Sequence, residues 1–359
     1  MNTINNETAE RPGIDFFEKY LSIWVLLCMV VGMLIGTFLP GVANRLESYQ
    51  VLNTNIPIAV LTWVMIFPMM LKIDFKSILN VRKTYQGILI SSITSWLIKP
   101  FLMFGLASFF FYVVFSNFIP ADLARDYVAG AVLLGAAPCT AMVFVWSNLT
   151  KGDPAHTLVQ VSVNDLLIIV LFVPIVSFLL GVNDVFVPWN ILFGSVVLFV
   201  VVPLVGGAFT RYFMIKRKGI EYFNHKFLPK FDTITTIGLL LTLVIIFTYQ
   251  GDIILNNPWH VLMIAVPLVL QNLITANFAY FTCKWTKQPH NVAAPAALIG
   301  ASDFFELSVA VAITLFGVNS PVVLVTTVGV LTEVPVMLLL VKMVNHTRSW
   351  FPAKEGDTE

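Results

Sequence analysis

The chain has 359 residues, of which 58% are hydrophobic and only 11% charged, and its net charge is +1. Soluble domains carry about 25% charged residues, so this composition excludes an ordinary soluble core and points to lipid as the outer solvent. The near-zero charge gives no basis for nucleic-acid binding, and Cys28, Cys139 and Cys283 lie far apart, without disulfide or zinc-ligand spacing.

In chain order, residues 1–19 are polar and mixed in charge. They lack the basic start and small-residue cleavage site of a signal peptide, so they read as a cytoplasmic segment ahead of a retained first helix. A spanning helix needs roughly 20 apolar residues. Runs that fit are 20–39, 56–71, 87–115, 129–148, 155–181, 187–210, 232–249, 258–282, 291–316 and 321–344. The third holds Lys99-Pro100 at its centre, so it is either one kinked helix or two short ones.

Charge decides between these. With the third run as one helix, ten spans place 18 of the 21 Lys and Arg on one side. Only Arg45 and Arg125 lie opposite, and Lys99 is in the membrane. The positive-inside rule then puts both termini in the cytoplasm. Ten helices also divide into halves. A shift of about 167 residues brings Pro100 onto Pro267, Cys139 onto Glu306, and Asn164-Asp165 within one residue of Thr332-Glu333. The predicted architecture is an all-α membrane protein of ten transmembrane helices in two inverted five-helix repeats, over 20–181 and 182–346, with a cytoplasmic tail at 347–359.

Two segments are poor lipid-facing helices. Gly135-Ala136-Ala137-Pro138-Cys139-Thr140 and Ala297 to Glu306 both combine small residues with a polar centre. Small residues allow close helix approach, and proline frees backbone groups. The fourth and ninth helices are therefore predicted to be discontinuous and to cross at the midplane. Asp303 and Glu306 are three apart and share a face if the helix is continuous. A charge at the bilayer centre costs at least ~2.5–3.5 kcal/mol, so each is a functional candidate unless it merely pairs with Lys99. Asp165 and Glu333 serve either function or helix bridging. Asn164 and Ser302 serve either substrate contact or interhelical hydrogen bonding. Cys28 and Cys283 read as packing, His156 as structural, and Trp96, Trp146, Trp189 and Trp259 as interfacial or packed.

These motifs meet a family. Gly-Ala-Ala-Pro-Cys-Thr-Ala-Met-Val-Phe-Val-Trp-Ser (135–147) closely resembles the fourth-helix motif of the arsenical-resistance-3 arsenite efflux permeases, part of the bile acid/sodium symporter superfamily. Leu-Ile-Gly-Ala-Ser-Asp-Phe-Phe-Glu-Leu-Ser-Val-Ala-Val-Ala-Ile (298–313) resembles their ninth-helix motif, with support from Val-Asn-Asp (163–165) and Leu-Thr-Glu-Val-Pro (331–335). The resemblance runs from about Phe16 to Val344. It implies a multi-pass protein of the cell membrane that extrudes arsenite, and sometimes antimonite, in exchange for protons, with Cys139 and Glu306 as the essential pair. Where the family commonly has Asn before Phe-Phe-Glu, this chain has Asp303.

The chemistry gives these residues roles. Neutral arsenite needs no cationic pocket, and a soft centre selects a thiol. Cys139 is expected to contact As(III) transiently, with Asn164 and Ser302 offering hydrogen bonds. Glu306 is expected to carry the proton, with Asp303 and Glu333 in the coupling path. No resident cofactor is implied. The alternative within the superfamily is sodium-coupled uptake of an organic anion, which needs a cation cage of carbonyls and carboxylates at the helix crossing. An intramembrane enzyme is disfavoured, because no HExxH, GxSxG or paired-Asp motif is present.

Overall fold

The computed structural model describes residues 21–51, 54–73, 85–140 and 142–352. The expected N-terminal segment 1–19, most of the basic loop 72–86 and the end of the tail lie outside the described residues. The protein is almost entirely helical. In chain order the helices are α1 (Leu21–Phe38), α2 (Pro40–Ser48), α3 (Ile56–Lys72) and α4 (Tyr85–Val114), then α5 (Ala121–Gly135), α6 (Val143–Leu149) and α7 (Pro154–Val182). They continue as α8 (Trp189–Lys218), α9 (Ile220–Asn256), α10 (Pro258–Trp285), α11 (His290–Ala301), α12 (Phe305–Phe316) and α13 (Pro321–His346). A two-residue antiparallel ribbon, Gln50–Val51 with Thr54–Asn55, separates α2 from α3. Six of these helices (α4, α7, α8, α9, α10 and α13) are each long and apolar enough to cross a bilayer. The bent pair α1/α2 forms one further broken candidate.

Local sequence sets the helix starts. Proline in the first turn costs nothing, because that N–H has no intrahelical partner. Before α3, α7 and α13 the capping side chain stands one or two residues ahead of such a proline. Asn55 accepts from the Ile58 N–H at 3.2 Å, Asp153 from Ala155 and His156 at 2.9 and 3.1 Å, and Ser320 from Val322 at 3.2 Å. Gly317, at φ +85°, ends α12, and its N–H caps the Ile313 carbonyl at 2.9 Å.

The Lys99-Pro100 run is one helix, α4, with a π turn at Thr94–Ile98. The same pattern recurs. Four π turns end two residues before a proline: Thr94–Ile98 before Pro100, Ile168–Phe172 before Pro174, Val197–Val201 before Pro203 and Phe223–Phe227 before Pro229. A proline ring clashes with the carbonyl four residues earlier. Widening the preceding turn moves that carbonyl aside and lets the helix continue.

The helices form two packed groups. One holds α1, α3, α8 and α9; the other holds α4 to α7 and α10 to α13. In the first group Gly32 and Gly36 face α9 so closely that a Cβ at Gly32 would lie 2.6 Å from the Val244 carbonyl. This is the small-xxx-small device by which backbones approach in lipid. In the second group Gly130 of α5 does the same against α13, where a Cβ would lie 2.6 Å from the Val322 carbonyl. The second group contains the two pairs interrupted by irregular backbone, α5/α6 and α11/α12.

Candidate functional site

The chain leaves helical geometry after Gly135 and resumes it at Val143, and it leaves again after Ala301 and resumes at Phe305. Pro138 is one cause, since it offers no N–H to continue α5. Gly135 lies against α4, where a Cβ would come 2.7 Å from Met103 Cβ. The two breaks lie antiparallel. Pro138 pairs with Asp303, the Cys139 N–H donates to the Ser302 carbonyl at 3.2 Å, and the Phe304 N–H donates to the Ala137 carbonyl at 2.9 Å. Each break therefore satisfies backbone groups that the other leaves open, which is the condition for tolerating irregular backbone at membrane depth.

The crossing brings several of the sequence-predicted residues together. Cys139 is 1% exposed, and its thiol meets the Ser302 side chain. Glu306 stands in the first turn of α12, and both its carboxyl oxygens are buried without a hydrogen-bond partner. It lies within electrostatic reach of Cys139, as does Glu333. Ser302 donates its hydroxyl to Glu333 Oε1 in a short hydrogen bond, and the Asp303 N–H reaches the same oxygen at 3.1 Å. Glu333, on α13, is thus committed to holding the second break.

Asp303 and Glu306 do not share one helical face, because the break runs between them. Asp303 belongs to the irregular segment and pairs with Lys99, Nζ to Oδ1 at 2.7 Å. Among the described residues Glu306 has no such partner. Of the two readings open for a midplane acid, the ion pair is realised for Asp303 and not for Glu306. Asn164, on α7, accepts from the Trp96 indole N–H at 3.1 Å, which leaves its own amide NH2 buried and unpartnered. Asp165, next to it, faces the Thr140 hydroxyl of the first break. The two breaks thus have matching supports, Thr140 beside Asp165 and Ser302 bonded to Glu333.

Three contributors have roles the sequence did not give. Trp96, expected only to be interfacial or packed, orients Asn164; Thr140 faces Asp165; and Lys99, expected only as a partner for a midplane acid, touches both breaks. Lys99 was visible as a cation at the centre of an apolar run, but nothing in the sequence gives its reach. Away from the crossing, Trp146 is buried, whereas Trp189 and Trp259 are exposed. His156 bonds to Gln160 at 2.8 Å within α7. Among the described residues no three His, Cys, Asp or Glu side chains converge as a chelate.

The Sodium Bile acid symporter family model matches residues 58–257. The chain is 59% identical to arsenical-resistance protein Acr3 of Alkaliphilus metalliredigens over 97% of each chain. It is 31% identical to arsenical-resistance protein Acr3 of Corynebacterium glutamicum, over 94% of this chain and 92% of the other. It is 41% identical to an uncharacterized transporter of Synechocystis, over 98% and 94%. The chain belongs to the Acr3 family within the sodium bile acid symporter family, whose members are membrane transporters and not enzymes.

Proposed function

We propose, from the premise that the chain is a multi-pass transporter of the Acr3 family, that it extrudes arsenite from the cytoplasm in exchange for protons, with antimonite as a second substrate. One observation carries the reading: a single buried thiol, Cys139, stands in the crossing of two broken helices beside an unpartnered carboxyl, Glu306. A soft trivalent centre is held well by a thiol. Capture joins sulfur to arsenic and releases the thiol hydrogen with one hydroxide as water; hydrolysis reverses it. One thiol holds and lets go, where three would trap. Glu306 takes a proton from outside and gives it up inside, and the protonated and metalloid-loaded states exclude one another. The Asn164 amide and the Ser302 side chain orient the two hydroxyls left on the captured arsenic, while Asp303 and Glu333 hold the second break in the coupling path.

The architecture proposed for this cycle is ten spans in two inverted repeats, 20–181 and 182–346, with both termini in the cytoplasm. It is supported by the reciprocal bonding of the two breaks and by the paired supports at Asp165 and Glu333. Rocking between the two helix groups then alternates access to the crossing.

Everted vesicles test the reading. Cys139→Ser removes the thiol while keeping size and polarity. Arsenite accumulation driven by a proton gradient should fall to the background of empty vesicles, with the protein still inserted and monodisperse. Undiminished accumulation would sink the thiol role.

A further inference from the structure

Lys99 is a full-length cation with no exposure to the outside, 0% of its surface being accessible. Its Nζ is surrounded by oxygens from both breaks: the Ser302 carbonyl at 2.6 Å, Asp303 Oδ1 at 2.7 Å and the Ala137 carbonyl at 3.5 Å. Two of these are carbonyls that the ends of α5 and α11 cannot use within a helix, and both ends carry the negative pole of the helix dipole. Unwound carbonyls at half-helix C-termini, joined by a carboxylate, are the ligand set with which carriers hold a small hard cation. Here that set is occupied by the end of a side chain rooted on α4.

We propose that Lys99 is a tethered cation. Its ammonium fills an alkali-cation cage at the crossing, so that the carrier needs no sodium, and removing the ammonium opens a sodium site formed by Ala137 O, Ser302 O and Asp303 Oδ1. The inference deepens the reading of the protein as an ion-coupled carrier. With the cage filled by a group that cannot leave, coupling falls to a carboxyl outside it; Glu306 and Asp165 are the ones whose two oxygens are both buried without a hydrogen-bond partner among the described residues, and on the proposed function Glu306 takes the proton. Lys99 is a positioning residue in this scheme. It ties Ala137 of the first break to Ser302 and Asp303 of the second, and it touches neither the Cys139 thiol nor the proton.

The alternative is a lysine that neutralises Asp303 and does nothing else. The two differ in what a vacated cage does. A plain ion pair, once broken, leaves a polar cavity that water fills whatever salt is present. A cage leaves an anionic oxygen ring that draws in sodium and excludes a bulky organic cation.

The experiment is thermal unfolding of the purified full-length protein in detergent, in sodium chloride against choline chloride at equal ionic strength. No arsenite and no proton gradient are involved, so failure here is distinct from failure of the transport reading. For the unsubstituted protein the two salts should give the same Tm. Lys99→Ala should be stabilised by sodium over choline, by about 3–4 °C at a hundredfold excess over the dissociation constant. Lys99→Ala/Asp303→Asn, whose cage has lost its charge, should show that difference reduced several-fold. A Lys99→Ala protein whose Tm ignores sodium overturns the proposal, as does a sodium response in the unsubstituted protein. If Lys99→Ala is recovered in sodium but not in choline, the proposal stands. If it is recovered in neither, no small ion can replace the ammonium and the proposal falls.

Discussion

The Lys99–Asp303 pair should be asymmetric, and the asymmetry can be worked out from its contacts. Lys99 has three oxygens around it, so losing the Asp303 charge leaves it two carbonyls. Asp303 has one counter-charge, so losing Lys99 leaves a buried carboxylate facing the carboxyl of Glu333 across its own N–H. Stripping a buried ion of its partner costs about 3–5 kcal/mol, whereas losing a hydrogen bond to a charged group costs about 1.5–3 kcal/mol. With 359 residues and roughly 2.1 cal/mol/K of unfolding entropy per residue, 1 kcal/mol moves Tm by about 1.3 °C. Lys99→Met should therefore lower Tm by about 4–7 °C and Asp303→Asn by about 2–4 °C or less, since the asparagine carbonyl still accepts from Lys99. The double variant Lys99→Met/Asp303→Asn should be more stable than Lys99→Met alone, because the orphaned charge has gone. The measurement is thermal unfolding in a sodium-free choline buffer, which keeps external cations out of the vacated cage. Asp303→Asn costing as much as Lys99→Met, or a double variant worse than both singles, would refute the assignment of Lys99 as the partner on which Asp303 depends.

Glu306→Gln keeps the size of the side chain and removes its ability to carry a proton. Arsenite extrusion in vesicles should lose its response to an imposed pH gradient; pH-driven transport by Glu306→Gln would take this carboxyl out of the proton path. In the other helix group, Gly32→Ala puts a Cβ 2.6 Å from the Val244 carbonyl and 2.7 Å from Phe247 Cβ. Overpacking of this kind costs about 1–3 kcal/mol, or about 1–4 °C in Tm. Gly41→Ala, with nothing within 4 Å of its Cβ, is the control, and equal effects at the two positions would argue against close approach of α1 and α9.

Much of the helical layout was legible because lipid demands long apolar runs. The ends were less so, for a physical reason. Helix α5 begins at Ala121, eight residues before the apolar run at 129, because Asp122, Arg125 and Asp126 lower the hydropathy of a turn whose backbone is nonetheless helical after Pro120. Helix α9 likewise extends to Ile220–Asn256 beyond the run 232–249, taking in Glu221, Lys226 and Lys230. The breaks were legible from Pro138 and from the small residues around both motifs. Their mutual arrangement was not. An antiparallel pairing of Pro138 with Asp303 is a long-range contact with no local signal, and it also undoes the i,i+3 relation that would set Asp303 and Glu306 on one face. Lys99 shows the same limit. Its isolation in an apolar run marks it as unusual, but the choice between Asp303 and Glu306 as partner depends on where α4 lies against the breaks.

What the crossing leaves unsatisfied is as informative as what it satisfies. The C-terminal ends of α5 and α11 are answered by Lys99, and Glu333 is answered by Ser302 and the Asp303 N–H. The groups that remain buried without a hydrogen-bond partner include both oxygens of Glu306 and the amide nitrogen of Asn164. Leaving a buried polar group unpaired costs about 1–3 kcal/mol. On the proposed mechanism they are partnered in turn, Glu306 by the proton and the Asn164 amide by a hydroxyl of the metalloid held at Cys139. On that mechanism the two states of Glu306 alternate with the two states of Cys139, while Lys99 keeps the breaks joined through Ser302 and Asp303.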